Sequence, residues 1–281
     1  MRHKLLFLAL VQLVLVPASI CSAKSSGLSK ITVMSYNIRV GDADDGTNSW
    51  QFRYPATAMM IEDIRPDVFG VQEAMPYQLL FITENCRDYK YVGVGRDDGK
   101  KKGEHMAVFY NKKTVSLLKW GTFWLSETPD EPSFGWDAAC RRTATWALMK
   151  SKASGQKFYF VDTHLDHKGA EARREGLALI LDRLSAINRD NLPVVLVGDF
   201  NVEISDPAVA VLDGTMKNAR KIAAKTDSCG TYNGWGKSSE IIDHIFYSGF
   251  RSCTEYRTVT TPYAERKFIS DHYPVTATLV F

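Results

Sequence analysis

Apolar residues along this chain fall into two kinds of spacing. Short runs rich in Val, Ile, Phe and Tyr recur at residues 31–38, 67–71, 107–110, 143–149, 158–163, 194–197, 241–247 and 275–281, and runs of this kind predict β-strands. Several are apolar throughout rather than alternating, as strands buried on both faces are. Between them the spacing changes. Residues 54–64 carry apolar side chains at helical intervals and stop at Arg65-Pro66, where proline restricts the residue before it and ends a helix. Over 170–188, Leu177, Ile180, Leu181, Leu184 and Ile187 recur in steps of three and four, which builds one apolar stripe with charges on the other face. Strands alternate with helices, and strands dominate the second half. This predicts an α/β layered sandwich rather than a simple doubly wound sheet. No repeat, low-complexity segment or Pro/Ser linker interrupts residues 24–281, so a single domain is expected.

The first residues break the pattern. Arg2, His3 and Lys4 precede an apolar run from Leu5 to Val16, interrupted by Gln12, and small residues then lead to Ala23. The run is short for a membrane span. It reads as a secretory signal peptide over 1–23, cut after Cys21-Ser22-Ala23, so the mature chain is expected to be exported to the periplasm or beyond. A lipid anchor on Cys21 is the competing reading, and the bulky Ile20 just before it counts against it. Export permits disulfides among Cys86, Cys140, Cys229 and Cys253. Their wide spacing shows no metal-knuckle pattern, and a core of this size does not need them, so buried free thiols are expected.

Composition excludes little. The 281 residues are 45% hydrophobic and 24% charged, with a formal net charge of +3, which is ordinary for a globular protein. A concentrated basic stripe of the kind that tracks nucleic acid is missing from the sequence. The tight basic run Lys100-Lys101-Lys102 follows Asp97, Asp98 and Gly99 and reads as a solvated loop tip.

Candidate chemistry gathers at the ends of the predicted strands, where a residue is held by a sheet yet can face a cleft. An apolar strand ends in Val197-Gly198-Asp199-Phe200-Asn201, and two-residue alternation puts Asp199 and Asn201 on one side. Ser270-Asp271-His272 precedes the last strand and joins a hard carboxylate to an imidazole that can carry a proton. Asp243 opens the run Ile242-Asp243-His244 and could orient an imidazole from elsewhere. Asp162, His164 and Asp166 alternate out of another strand, while His164 with His167 makes only a weak zinc pattern. Gln72-Glu73 ends a strand with a carboxylate suited to Mg²⁺, which takes one or two protein carboxylates. Asn37 ends the first, and its amide can donate to a phosphate or bridge to the metal carboxylate. Read singly, each has a bland alternative as a turn residue, a capped loop or a surface histidine.

Taken in order, Asn37, Gln72-Glu73, Thr163-His164, Gly198-Asp199-Phe200-Asn201, Ile242-Asp243-His244 and Ser270-Asp271-His272 resemble the signature blocks of the DNase I-like endonuclease/exonuclease/phosphatase superfamily. The resemblance spans about residues 31–280. Trp124-Leu125-Ser126-Glu127-Thr128-Pro129 and Arg142-Thr143-Ala144-Thr145-Trp146 are similar to the deadenylase branch, as in bacterial exported members.

The resemblance implies a four-layer α/β/β/α sandwich, two packed mixed β-sheets flanked by helices. It implies Glu73 as the principal Mg²⁺ ligand, with Mn²⁺ as a substitute, supported by Asn37 and Asp271. It implies Asp199 as the group that activates water, and Asn201 beside it holding the water or a phosphate oxygen. It implies His272 paired with Asp243 as acid–base partner, and His164 on the phosphate. Glu104 is similar to a carboxylate that orients that histidine. Arg142 resembles an arginine aimed at phosphate, with Arg141 its rival. Trp235 or Tyr232, in the loop before Asp243, would stack on a base. Thr163-His164-Leu165-Asp166 stands where many DNA-repair members carry a tyrosine, which argues against abasic-site repair.

The activity expected is Mg²⁺-dependent hydrolysis of a phosphate ester by water, as a phosphodiesterase or nuclease, with 3′-5′ exonuclease action on single-stranded RNA the sharpest version. The alternative is a phosphatase or phosphodiesterase on an inositol phosphate, sphingomyelin or another small ester. A non-catalytic binding module ranks last, because every acid, base and ligand is present. A monomer without a stable protein partner is expected.

Overall fold

The computed structural model describes residues 29–281; the signal peptide expected at 1–23, with Cys21, lies outside them. The chain runs β1 (Lys30–Asn37), α1 (Trp50–Ile64), β2 (Val68–Ala74), α2 (Pro76–Asn85), β3 (Tyr89–Val92), β4 (His105–Asn111), β5 (Val115–Trp124) and β6 (Thr143–Ser151). It continues with β7 (Lys157–His164), α3 (Ala170–Ile187), β8 (Val194–Asp199), β9 (Lys217–Asn218), α4 (Ala219–Ile222), β10 (Asp243–Ser248), β11 (Ser252–Thr258) and β12 (Val275–Val280).

Two six-stranded sheets result, ordered β11-β12-β1-β2-β4-β3 and β5-β6-β7-β8-β10-β9. Each is centred on one parallel pair, β1 with β2 and β7 with β8. A parallel pair needs a crossover, and α1 and α3 supply it. Three cores separate the layers. Val33, Val68, Phe158, Phe160, Val197 and Ile245 fill the space between the sheets. Met60, Ile61, Leu79 and Ile82 seal α1 and α2 onto the first sheet. Leu177, Ile180 and Leu184 seal α3 onto the second with Val161 and Leu196. The order helix, sheet, sheet, helix is the expected sandwich.

Alternation along the inward-facing positions places the site. On β1 the sequence Ile31, Val33, Ser35, Asn37 turns from apolar to polar toward the carboxyl end. On β7 it is Phe158, Phe160, Asp162, His164; on β8 it is Val195, Val197, Asp199. Because strand side chains repeat every two residues, the polar ends of both parallel pairs meet between the sheets at one edge of the sandwich.

Some elements depart from the sequence pattern. α1 begins at Trp50, a turn before the predicted start, although Pro55 lies inside it. The missing Pro55 N–H costs one intrahelical bond, and burial of Trp50 and Arg53 holds the extra turn. The run expected to start at 241 enters the sheet only at Asp243. All four described cysteines are free. Cys86 and Cys253 are buried as expected, whereas Cys140 is half-buried and Cys229 exposed. Lys100, Lys101 and Lys102 sit exposed on the loop between β3 and β4, where Asp98 accepts the Lys100 and Lys102 N–H groups.

Candidate active site

Asn37 closes β1 at the centre of the cleft. Its Oδ1 accepts the Arg39 N–H at 2.9 Å, which turns the amide nitrogen inward. Nδ2 donates to Glu73 Oε1 at 3.0 Å and to Asp199 Oδ2 at 2.9 Å. Asn37 therefore bridges two carboxylates from opposite sheets instead of offering its oxygen to a metal. The other Glu73 oxygen accepts the Val40 N–H at 2.8 Å.

Asp199 ends β8 and is 2% exposed. Its Oδ1 accepts the Asn201 N–H at 2.8 Å. Its Oδ2 lies 3.4 Å from His164 Nε2 and 3.6 Å from His272 Nε2. Burial raises the Asp199 carboxyl; nearby His272 lowers it, and nearby Asp243 raises it. His272 Nδ1 and Asp243 Oδ2 are 2.8 Å apart, so a ring N–H donates to the carboxylate and Nε2 is left facing the cleft. Burial works against the imidazolium, yet the charges of Asp243 and Asp199 prevail and raise its pKa. The Tyr232 ring packs 4.9 Å from the imidazole.

His164 behaves differently. Asn201 Nδ2 donates to the Leu165 carbonyl and lies 2.9 Å from His164 Nε2, so Nε2 accepts. Burial first, then the Arg142 and Arg96 charges, hold His164 neutral, its pKa well below the usual range. Its Nδ1 is buried without a partner.

The remaining candidates sort by burial and by partner. Arg142 is 5% exposed. It donates from Nε to Asp166 Oδ2 at 3.3 Å and from Nη2 to His167 Nδ1 at 3.0 Å, leaving Nη1 buried and unpartnered. Arg141 turns outward, over Phe134 and toward Asp97. That settles the inward arginine. Glu104 does not take the role expected for it: both its oxygens accept from Arg96, at 2.7 and 2.8 Å, a charge-assisted pair, while His164 Nδ1 has no hydrogen-bond partner. Asp271 faces Arg39 at 3.6 Å and stands outside the carboxylate–histidine clusters among the described residues; burial raises its pKa. Trp235 is half-buried, with the Arg53 guanidinium 5.9 Å from its ring.

Sequence pattern gave no hint of Arg53. It is 1% exposed and donates to the carbonyls of Ile38, Arg39, Asn48 and Ile269, tying together the loops that carry Asn37 and His272. Nor did it hint that Arg39, Glu73 and Asn201 adopt left-handed φ of 62°, 61° and 55°. Such backbone is costly for residues with a Cβ and gathers at functional sites.

One donor atom each from Glu73, His164 and Asp199 lies within 4.8 Å of the others, and the same holds for Asp199, Asp243 and His272. The first group fits a hard divalent cation: carboxylate oxygens converge in a buried cleft, held by a neutral amide rather than by a lysine or arginine.

The sequence profile of the Endonuclease/Exonuclease/phosphatase family matches residues 34–272. A family protein of known structure from Bacteroides thetaiotaomicron is 37% identical, with a TM-score of 0.86, over 91% of this chain and 99% of that one. A mannosyl-6-phosphatase from the same organism is 38% identical, with a TM-score of 0.85, over 89% of this chain and 100% of that one. Nocturnin of Drosophila melanogaster is 25% identical over 217 residues, covering 69% of this chain and 32% of that longer protein. With its carboxylates, histidines and asparagines converging at the ends of two facing βαβ units, the chain belongs to the endonuclease/exonuclease/phosphatase family and is a phosphoric ester hydrolase.

Proposed function

We propose that this chain is a divalent-metal-dependent phosphatase that releases phosphate from a phosphorylated sugar. One observation carries the chemistry: Asn37 links Glu73 and Asp199 across the two sheets, with His272 Nε2 on the same cleft. Glu73 would hold the ion, Mg²⁺ or Mn²⁺, with Asp271 nearby. When bound, such an ion neutralises phosphoryl charge and acidifies water.

The chain's own groups do the rest. Asp199 Oδ1 accepts the Asn201 N–H, while Oδ2, which also accepts from Asn37, is the oxygen beside His272 in the cleft and is placed to take a proton from the attacking water. His272, held protonated by Asp243, donates from Nε2 to a phosphoryl oxygen as charge builds there. Arg142 offers its unpartnered Nη1 to a second phosphoryl oxygen. Phosphoryl transfer depends on positioning and charge rather than on covalent chemistry, and these groups supply both.

The sugar phosphate is favoured by the 38% identity to a mannosyl-6-phosphatase across nearly the whole domain. A nuclease acting on single-stranded RNA is the second reading. It is supported by the likeness to nocturnin and by Tyr232 beside His272, with Trp235 on the same loop near Arg53, rings on which a base could stack. Export from the segment at 1–23 is part of the proposal, to be tested by N-terminal sequencing of the mature protein.

The test is phosphate release from mannose 6-phosphate by purified protein after chelation and after Mg²⁺ or Mn²⁺ is restored, with Asp199→Ala as control. Release that requires metal and disappears in the control is expected. Release that persists in chelator would overturn the metal role.

A further inference from the structure

Beneath the cleft, one step deeper between the sheets, lies a polar layer that makes no contact with solvent. Asp162 of β7, Gln72 of β2 and Ser35 of β1 are each at most 1% exposed. Gln72 Nε2 donates to Asp162 Oδ1 at 2.6 Å and to Ser35 Oγ at 3.2 Å. The approach is close. A Cβ on Gly70, two residues before Gln72, would collide with the Asp162 carboxyl. The layer thus depends on a glycine in one sheet facing an acid in the other.

The position of Gln72 in β2 gives the layer a purpose. The β2–β4 ladder pairs Val71 with Ala107 and next Ala74 with His105. Three steps on β2 oppose two on β4, so Gln72 and Glu73 lie in a β-bulge that β4 does not pin, although Gln72 still pairs with Asn37 of β1. Glu73 is left-handed there, at φ 61°. What fixes this stretch is the Gln72 C=O, which accepts the Ile38 N–H at 3.1 Å, together with the Gln72 amide pinned across the sheets.

We propose that Gln72 and Asp162 are positioning residues that hold the bulge so that Glu73 presents its carboxylate to the metal. Neither touches substrate. This rests on the reading of Glu73 as a metal ligand. Only one Asp162 oxygen is used; Oδ2 has no partner, and neither has Gln72 Oε1. An amide at this position can do the same work, so the motif Asp162-Thr163-His164 needs no negative charge at its first residue.

The test is Mn²⁺ binding by the full mature chain, read from the electron paramagnetic resonance signal of free Mn²⁺, with folding checked by circular dichroism. Partners behind a metal ligand typically change affinity by about 10–100-fold. Gln72→Met, nearly equal in volume, should bind Mn²⁺ at least tenfold more weakly while folded. Asp162→Asn should bind like wild type, and Asp162→Ser, too short to reach Gln72, should bind weakly. Folded Gln72→Met with wild-type affinity would overturn the proposal. Should that variant not fold, equal affinity in folded Asp162→Asn and Asp162→Ser overturns it instead. Glu73→Gln separates the two claims: wild-type binding that survives this change removes Glu73 as ligand, and the positioning role falls with it.

Discussion

At the scale of single residues, the site is a set of choices between charged and neutral forms. His272 is held as imidazolium by Asp243 at 2.8 Å. Asp243→Asn removes that charge, so the imidazole should lose its proton at lower pH. The alkaline limb of the kcat profile should move toward acid, and kcat should fall by about 10²-fold. An unchanged profile would mean that Asp243 does not act through His272. Asp162 shows the opposite sign of linkage from an ordinary carboxylate. Its folded pKa is raised, so its stabilising contribution is complete below the unfolded value of about 3.9 and is lost as pH rises through the folded value. Asp162→Asn should therefore melt higher than wild type at neutral pH and match it near pH 3, as thermal unfolding would read. At this scale the sequence was most legible. Asn37, Glu73, His164, Asp199, Asn201, Asp243 and His272 all come to one cleft: Asn37, His164, Asp199 and Asp243 end or begin strands, Glu73 enters from the bulge in β2, and Asn201 and His272 sit in the loops after β8 and before β12. What pattern did not give was the direction each side chain faces. The Asn37 amide is turned by the Arg39 N–H, and Glu104 is taken by Arg96; both are set by residues that carry no motif.

At the scale of elements, the parallel pair β7–β8 brings His164 beside Asp199 as register partners. That closeness depends on Gly198, where a Cβ would collide with the Thr163 carbonyl. Gly198→Ala should cost about 2 kcal/mol or more of stability and lower kcat by parting the two strands; a variant that melts and turns over like wild type would refute this. The apolar strands and α3 were legible because their burial is periodic. Other elements were not. β5 carries mixed polarity along an exposed sheet edge, with a bulge between Leu117 and Lys119. β11 reads as polar, since only alternate residues are buried. α2 starts from Pro76 with Gln78 Oε1 accepting the Met75 N–H, a cap that its short apolar pattern does not announce.

At the scale of the molecule, the two sheets bring the Glu73 and Asp199 carboxylates together on one Asn37 amide, where the proposed cation would sit. The proposed Mg²⁺, at about 100 times its dissociation constant, would add about 2.7 kcal/mol and raise Tm by several degrees for a chain of this size. Glu73→Gln should abolish the rise, as differential scanning fluorimetry would show. The measurement closest to the central claim is kcat/KM, with Mg²⁺ present, for mannose 6-phosphate against a short single-stranded RNA, using wild type and Asp199→Ala. The account predicts that the phosphosugar is preferred and that Asp199→Ala loses turnover of both. A preference for RNA would contradict the phosphatase assignment, and turnover that survives Asp199→Ala would contradict the site.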